Sequence, residues 1–227
     1  MRAANAYADL LRFGRRVITT DDAAVRLRMS ASAASRLLSR LTEAGLVVPL
    51  RRGLWCLGGA PEPLELPELL TAPHPAYVSF QSALYYHGVI SQIPQVIYVA
   101  SLARTQRVTT RVATYSVHHL PPELFGGYTN KGGVQMATCE KALVDLLYLS
   151  NAKSRLFARL PEVEIPTQFR TQEAERWIRA IPSTFKQTMV RNRLGCLIPD
   201  GVELRRSRRV DGGRDQPRRA ARALAKR

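Results

Sequence analysis

The chain has 227 residues, of which 45% are hydrophobic, and a formal net charge of +16. This length suffices for one large or two small domains with apolar cores, and no apolar run is long enough to span a membrane. The N-terminus lacks the pattern of a secretory leader, and the three cysteines are too widely spaced for a zinc site or a disulfide framework. We therefore expect a cytoplasmic protein with no membrane partner, no metal and no cofactor.

The positive charge is concentrated at the two ends of the chain. Residues 1–58 contain ten Lys and Arg against four Asp and Glu, residues 59–204 contain fourteen against twelve, and residues 205–227 contain ten against two. Neither basic region has a wide apolar face beside it. A polyanion, and nucleic acid in particular, is thus a better-matched partner than a membrane surface.

The first 58 residues contain predicted elements in a characteristic order. Apolar spacing predicts a first helix over residues 3–13, an extended piece at 17–18, and a second helix that Thr20 caps. A third helix is predicted over residues 30–45, with Ser30 as its N-cap and Gly45 following its last turn. Two β-rich runs, 46–50 and 54–57, then surround a basic turn. This order is that of a winged helix-turn-helix, whose third helix enters the major groove of DNA.

The polar side of the third helix carries hydroxyls and arginines, with no acidic residue before Glu43. Small residues at its start would let the backbone approach base edges, and arginine can bond two acceptors of a guanine or a phosphate. The alternative is a helical bundle whose arginines are only a solvated face, although such faces usually include acids. The predicted DNA contacts are Ser30, Ser32, Ala33, Ser35, Arg36, Ser39 and Arg40 on the helix, and Arg51 and Arg52 at the hairpin tip.

The composition changes at residues 59–75, where five prolines predict a linker with one short helix near 67–70. Residues 76–204 then predict a mixed α/β domain. Its strands are expected at 95–100, at 107–118 as a pair or one long strand, and at 134–137; its helices are expected at 80–87, 140–149, 153–160, 172–181 and 183–194. Residues 205–227 have almost no apolar content and predict a basic disordered tail. The fold class is therefore α+β: a winged helix-turn-helix over 1–58, a linker, a mixed α/β domain and a tail.

The sequence contains no strong catalytic signature. Glycine-rich phosphate loops are absent, and His118 and His119 have no third ligand at metal-binding spacing. Glu140, Lys141 and Asp145 could belong to a metal-dependent nuclease. A capping Glu, a surface Lys and an Asp that contacts a neighbouring element explain them better. Ser79 is predicted to cap a helix, and the three cysteines are predicted to be ordinary buried thiols, so we do not expect an enzyme.

Two groups of residues in the second domain form recognisable motifs. The first is YVSFQSAL at 77–84 with HGVI at 87–90, IP at 93–94 and VIYVA at 96–100, and the second is TCEKALVDL at 138–146. Together they resemble motifs of the AbiEi-type antitoxins of the AbiE abortive-infection, or phage-defence, system. Cys139 stands where the family usually has Pro, and an arginine-rich tail is not typical of it. The resemblance extends over about residues 4–200.

The resemblance implies an antitoxin of a type IV toxin–antitoxin pair. Such a protein binds inverted repeats in its own promoter through the N-terminal module, as a monomer or dimer, and represses its operon. Its C-terminal domain neutralises a nucleotidyltransferase-like toxin, a functional relation that does not require physical contact. Two alternatives stay open: a plain winged-helix transcriptional regulator with a ligand-sensing or dimerisation domain, and a metal-dependent nuclease.

Overall fold

The N-terminal part of the chain combines three helices with a small antiparallel sheet. The computed structural model describes residues 3–198, except 152–155 and 158–159. Strand β3 lies at the centre of the three-stranded sheet, with β1 and β2 on either side of it. The elements are α1 (Ala3–Leu11), β1 (Val17–Thr19), α2 (Thr20–Arg26), α3 (Ala31–Glu43), β2 (Val47–Arg51) and β3 (Leu54–Leu57).

The remaining elements form a six-stranded sheet and the helices that pack on it. Strand order is β6-β7-β5-β4-β9-β8; the pairs β5–β7 and β4–β9 are parallel, and the other pairs are antiparallel. The elements are α4 (Pro67–Thr71), β4 (Ala76–Val78), α5 (Phe80–Tyr86), β5 (Ile97–Ser101), β6 (Gln106–Thr109), β7 (Thr114–His119), β8 (Tyr128–Lys131), β9 (Val134–Ala137), α6 (Cys139–Leu149), α7 (Thr171–Arg179) and α8 (Thr184–Leu197), with short 3-10 turns at Pro63–Glu65 and Pro122–Leu124.

Three apolar cores hold these elements together. One lies inside the N-terminal part, between its helices and its sheet, and a second lies between the six-stranded sheet and helices α5 to α8. The third joins the two parts, because Leu50 and Leu54 of the hairpin pack with Leu66 and with Tyr115 of the large sheet. The Arg111 N–H also donates to the Leu50 carbonyl at 3.1 Å. The hairpin therefore sits on the face of the sheet opposite helices α5 to α8.

The mixed α/β composition that the sequence predicts is confirmed. The β-rich run 107–118 is a pair of strands rather than one, and β8 was not anticipated. Residues 59–75 contain the short helix α4, and Leu66 and Leu70 are buried. The tail 205–227 and most of the helix predicted at 153–160 lie outside the described residues. None of the described helices is both long and apolar enough to cross a membrane.

One predicted helix cap is wrong, and a second, Ser79, has the predicted N-cap position without a capping hydrogen bond. The cap of α2 is Thr19, not Thr20: the Thr19 hydroxyl accepts from the Asp22 N–H at 3.0 Å, and the Asp22 carboxylate accepts from the Thr19 N–H at 2.8 Å. This reciprocal pair satisfies two backbone N–H groups at the start of the helix, those of Thr19 and Asp22. A single hydroxyl at Thr20 would satisfy only one such group. Ser79 precedes α5 but makes no capping hydrogen bond, because its hydroxyl donates to Asp145 instead.

Candidate nucleic-acid interface

Helix α3 has the boundaries that its sequence predicts. The Ser30 hydroxyl accepts from the Ala33 N–H at 3.3 Å, and Gly45 adopts a φ of 70° after the last turn. With Gly45 in this conformation, the Leu46 N–H reaches the Leu41 carbonyl at 2.9 Å and closes the helix end. The apolar stripe of the helix is buried against the rest of the N-terminal core, which leaves its polar side exposed; the stripe consists of Ala34, Leu37, Leu38 and Leu41.

Arg36 and Arg40 lie one turn apart on the exposed side of α3. Neither guanidinium makes a hydrogen bond or ion pair with any residue that the structure describes. A groove of about 570 Å³ runs along this side of the helix, and Met29, Ala33, Ser39 and Glu43 are among its other lining residues. Two unengaged guanidinium groups beside an open groove can each bond a phosphate or a base edge without first breaking an internal contact.

The serines of α3 are less available than the arginines. The Ser30 and Ser32 hydroxyls lie 3.1 Å from each other, and the Ser39 hydroxyl donates to the Ser35 carbonyl at 3.0 Å. Ser35 and Ala33 are only half-exposed. A hydroxyl whose proton is already donated can accept but cannot donate to a phosphate oxygen. The arginines are thus the principal donors on this face.

The tip of the β2–β3 hairpin carries the other two predicted contacts. Arg51 and Arg52 are exposed and, like the arginines of α3, have no partner among the described residues. Gly53 completes the turn with a φ of 77°, a conformation that few side-chain-bearing residues adopt. The structure thus places a second pair of free cations on a projecting turn.

Sequence reasoning missed Arg111, which joins this basic tip from the second part of the chain. It is exposed, and its N–H bond to Leu50 fixes it next to Arg51. No local pattern could have shown this proximity, because the contact joins positions about 60 residues apart in the sequence. Only the packing of the hairpin on the large sheet brings the three arginines together.

The residues considered for a nuclease site do not form one. Lys141 is fully buried, so the prediction of a surface lysine is wrong: its ammonium pairs with Asp145 and lies over the rings of Tyr77 and Trp177. Asp145 also accepts from Ser79 at 2.7 Å. Burial lowers the pKa of Lys141 and raises the pKa of Asp145, while their mutual contact opposes both shifts. This cluster ties α6 to the sheet and is closed to a nucleic acid.

Glu140 points away from that cluster and binds Arg170 at 3.0 Å. Burial alone would raise the pKa of Glu140, but the hydrogen bonds from Arg170 hold it below its usual value. Across the described residues, no three His, Cys, Asp or Glu side chains are placed to hold a metal ion. The prediction of three buried thiols is wrong for Cys196, which is exposed on α8, and only Cys56 is fully buried.

A basic helix face and a basic hairpin tip on a three-helix module are features found in compact DNA-binding regulators. Residues 5–58 match the family model described as "Transcriptional regulator, AbiEi antitoxin". This match confirms the resemblance to AbiEi-type antitoxins, and it does so through the N-terminal module rather than through the second-domain motifs. The similarity is to a family of antitoxins and transcriptional regulators, over the N-terminal module alone. No curated protein matches the sequence.

Proposed function

We propose that the protein is a cytoplasmic DNA-binding antitoxin of a type IV toxin–antitoxin system. In this proposal the N-terminal module, residues 1–58, is a winged helix-turn-helix that binds inverted repeats in its own promoter and represses the operon. The mixed α/β domain, residues 76–204, neutralises a nucleotidyltransferase-like toxin. The protein has no enzymatic role of its own.

The free guanidinium groups of α3 carry this proposal. Arg36 and Arg40 are exposed, unpaired among the described residues and aligned along one groove. Placed in the major groove, each can bond the two acceptors of a guanine, an interaction worth about 1–3 kcal/mol against the wrong base. The other proposed DNA contacts on this helix are Ser30, Ser32, Ala33, Ser35 and Ser39.

The arginines of the hairpin have a different role in the proposal. Arg51 and Arg52 are on a projecting turn, with Arg111 fixed beside them. Contacts from such a turn to the phosphate backbone position a module on DNA without reading its sequence. The helix therefore selects the site, and the hairpin strengthens binding to any duplex.

An electrophoretic mobility shift with the upstream DNA of the gene tests this assignment. Arg36→Ala and Arg40→Ala should each weaken specific binding by about 1–3 kcal/mol and reduce discrimination against scrambled repeats. Arg51→Ala should weaken specific and non-specific binding alike and lower the salt dependence by about one counterion.

Arg179→Ala is the matched control for this experiment. Arg179 is also exposed and helical, but it pairs with Glu175 and belongs to α7, across the large sheet from the hairpin. Its loss should leave DNA affinity unchanged. Wild-type affinity in both the Arg36 and the Arg40 variants would remove α3 as the reading helix.

The antitoxin half of the proposal needs a separate experiment. Co-expression with the product of the adjacent gene should restore growth, and the Arg36→Ala Arg40→Ala double variant, which is defective only in the DNA-reading face, should still restore it from an independent promoter. A double variant that binds no operator but rescues growth would separate neutralisation from repression. No rescue by any form of the protein would contradict an antitoxin function.

A plain ligand-responsive transcriptional regulator is the second candidate. A cleft of about 360 Å³ at the junction of the two parts favours it, since Arg15, Leu54 and Leu66 are among the residues that line it. A ligand bound there would touch both the small sheet and the connector that follows it. Operator binding without any growth rescue would favour this candidate over the antitoxin.

A further inference from the structure

An aromatic groove lies at the C-terminal end of α5. It has a volume of about 530 Å³, and its walls include Tyr85, Tyr86, Glu162 and Glu164. Helix α5 packs in the core on the face of the large sheet opposite the hairpin. The groove therefore lies on the other side of the molecule from the basic tip formed by Arg51, Arg52 and Arg111.

The groove exposes aromatic surface that the fold itself does not cover. Tyr85 is 41% exposed and Tyr86 is 62% exposed, and Ile93, a few residues further along, is 63% exposed. The walls are fixed rather than loose, because the Glu164 N–H donates to the Val89 carbonyl at 2.8 Å and the Val89 N–H donates to the Leu84 carbonyl at 2.9 Å. Exposed aromatic side chains on a backbone fixed in this way are available to a ligand.

The charge of the groove specifies what it can bind. Glu162 and Glu164 are exposed and have no ion pair with any described residue. By contrast, two acids of α7 are paired with arginines, since Glu173 pairs with Arg176 and Glu175 with Arg191. Tyrosine faces attract guanidinium groups, and carboxylates bond them through two hydrogen bonds. An arginine-rich segment is the complementary ligand.

We propose that this groove binds the protein's own arginine-rich segment, residues 205–227, in the absence of DNA. That segment carries ten Lys and Arg against two Asp and Glu, the strongest charge density in the chain. The last described residue is Ile198, and only six residues separate it from Arg205. An extended chain covers about 3.3 Å per residue, so the 29 residues after Ile198 give enough length to reach any face of the domain.

Because the arginine-rich segment is covalently linked to the domain, weak individual contacts are sufficient for it to bind the groove. An exposed ion pair contributes only about 0.2–1 kcal/mol, and an exposed cation–π contact about 0.5–1 kcal/mol. A tethered segment, however, is present at an effective concentration in the millimolar range, and its many arginines can exchange within one groove. DNA phosphates would compete for the same arginines, a consequence that rests on the proposed DNA-binding function.

Limited trypsin digestion of the full chain tests the docking without DNA. The groove variant combines Tyr86→Ala, Glu162→Gln and Glu164→Gln, and the matched control combines Phe185→Ala, Glu62→Gln and Glu123→Gln. The control removes the same number of charges and another exposed aromatic ring, since Phe185 is 72% exposed. The first cleavage within residues 205–227, followed by mass spectrometry at low salt, should be about threefold or more faster in the groove variant, because tethered docking protects a substantial fraction of the segment.

Equal cleavage rates in the wild type, the groove variant and the control would overturn the proposal. Equal acceleration of cleavage in the groove variant and the control would also overturn it, because this result would indicate a general effect of charge. Protection that disappears on dilution would overturn it as well, because the segment would then be bound to a second copy of the chain. A mobility shift separates the docking proposal from the DNA-binding proposal. If both hold, the groove variant should bind DNA more tightly than the control variant. If the protein binds no DNA, the difference in cleavage rate between the two variants should still be seen.

Discussion

His118 is buried on the helical side of the large sheet, where its ring lies against Phe80 and Phe157 at centroid distances of 5.3 and 5.0 Å. Its Nε2 atom is 2.9 Å from the Ser116 hydroxyl, and no carboxylate faces it among the described contacts. Burial lowers the pKa of His118 to about 4, from an ordinary value of 6.5. The folded protein therefore holds this imidazole neutral where the unfolded chain would protonate it.

The sign of the resulting pH dependence follows from linkage. Stability contributed by a depressed histidine pKa is present above pH 6.5 and is lost as the pH falls toward 4, because only the unfolded state takes up the proton in that window. The change should be about 3 kcal/mol in the free energy of unfolding. Urea denaturation at several pH values between 7.5 and 4 measures it.

His118→Gln removes the titrating group, and the slope between pH 6.5 and 4 should largely disappear in this variant. His119 is the natural control, because it is adjacent but exposed. His119→Gln should keep the wild-type slope. If His118→Gln retains the full slope, another group titrates in this range and the assignment is wrong.

At the scale of elements, sequence periodicity was sufficient for helices that bury one stripe. Helix α3 begins and ends where Ser30 and Gly45 indicate, and β9 spans the residues predicted for it. Short-range chemistry determines these elements, since a cap, a glycine after the last turn and an apolar repeat are all read within one segment. The placement of arginines on the exposed side of α3 follows from the same repeat.

Long-range pairing determined what the sequence could not predict. Strand β8, at Tyr128–Lys131, is mostly exposed and polar, and it is a strand because it pairs with β9 at the edge of the sheet. Lys141 lies in a largely apolar helix, and its charge alone predicts an exposed side chain. It is buried because its ammonium pairs with Asp145 and lies over the rings of Tyr77 and Trp177, which offsets the cost of burying the charge. The strand that pairs with β8 and the rings that contact Lys141 belong to other elements, so no local sequence pattern predicts these contacts.

The capping box of α2 gives an element-scale prediction. Thr19 and Asp22 satisfy each other's backbone N–H groups, and α2 packs directly against α3. Thr19→Ala should lower the free energy of unfolding by about 1–2 kcal/mol, at the upper end for a cap, because the hydroxyl that accepts from the Asp22 N–H also donates to the Asp22 carboxylate at 2.8 Å. Ser183→Ala, at the start of α8, is the comparison: that hydroxyl accepts one bond of 3.4 Å without a reciprocal partner.

Equilibrium urea unfolding of both variants should therefore rank Thr19→Ala as the more destabilising. An equal or larger loss in Ser183→Ala would show that the bond from the Thr19 hydroxyl to the Asp22 carboxylate adds nothing at α2. Because α2 supports α3, Thr19→Ala should also reduce operator binding, and only to the extent that it raises the unfolded fraction at the assay temperature.

For the whole molecule, the core between the hairpin and the large sheet couples the unfolding of the two parts. Leu66 is fully buried in that core with Leu50, Leu54 and Tyr115. A shared core, unlike a flexible linker, means that either part loses apolar contacts when the other unfolds. Under the proposed function, DNA binding at the hairpin would therefore be coupled to the second part through these shared side chains.

The two tryptophans test this coupling, because Trp55 lies in β3 and Trp177 lies in α7. Single-tryptophan forms, made with Trp177→Phe or Trp55→Phe, should each report one fluorescence transition in urea. Adding Leu66→Ala should lower stability by about 2–5 kcal/mol through both probes, as expected for a cavity in a shared core. Leu69→Ala, in helix α4 just after Leu66, is the matched control, since Leu69 is 42% exposed and its loss should shift neither transition appreciably. A Leu66→Ala effect seen by Trp55 alone, or by Trp177 alone, would mean that the two parts unfold independently and that the hairpin transmits nothing to the sheet.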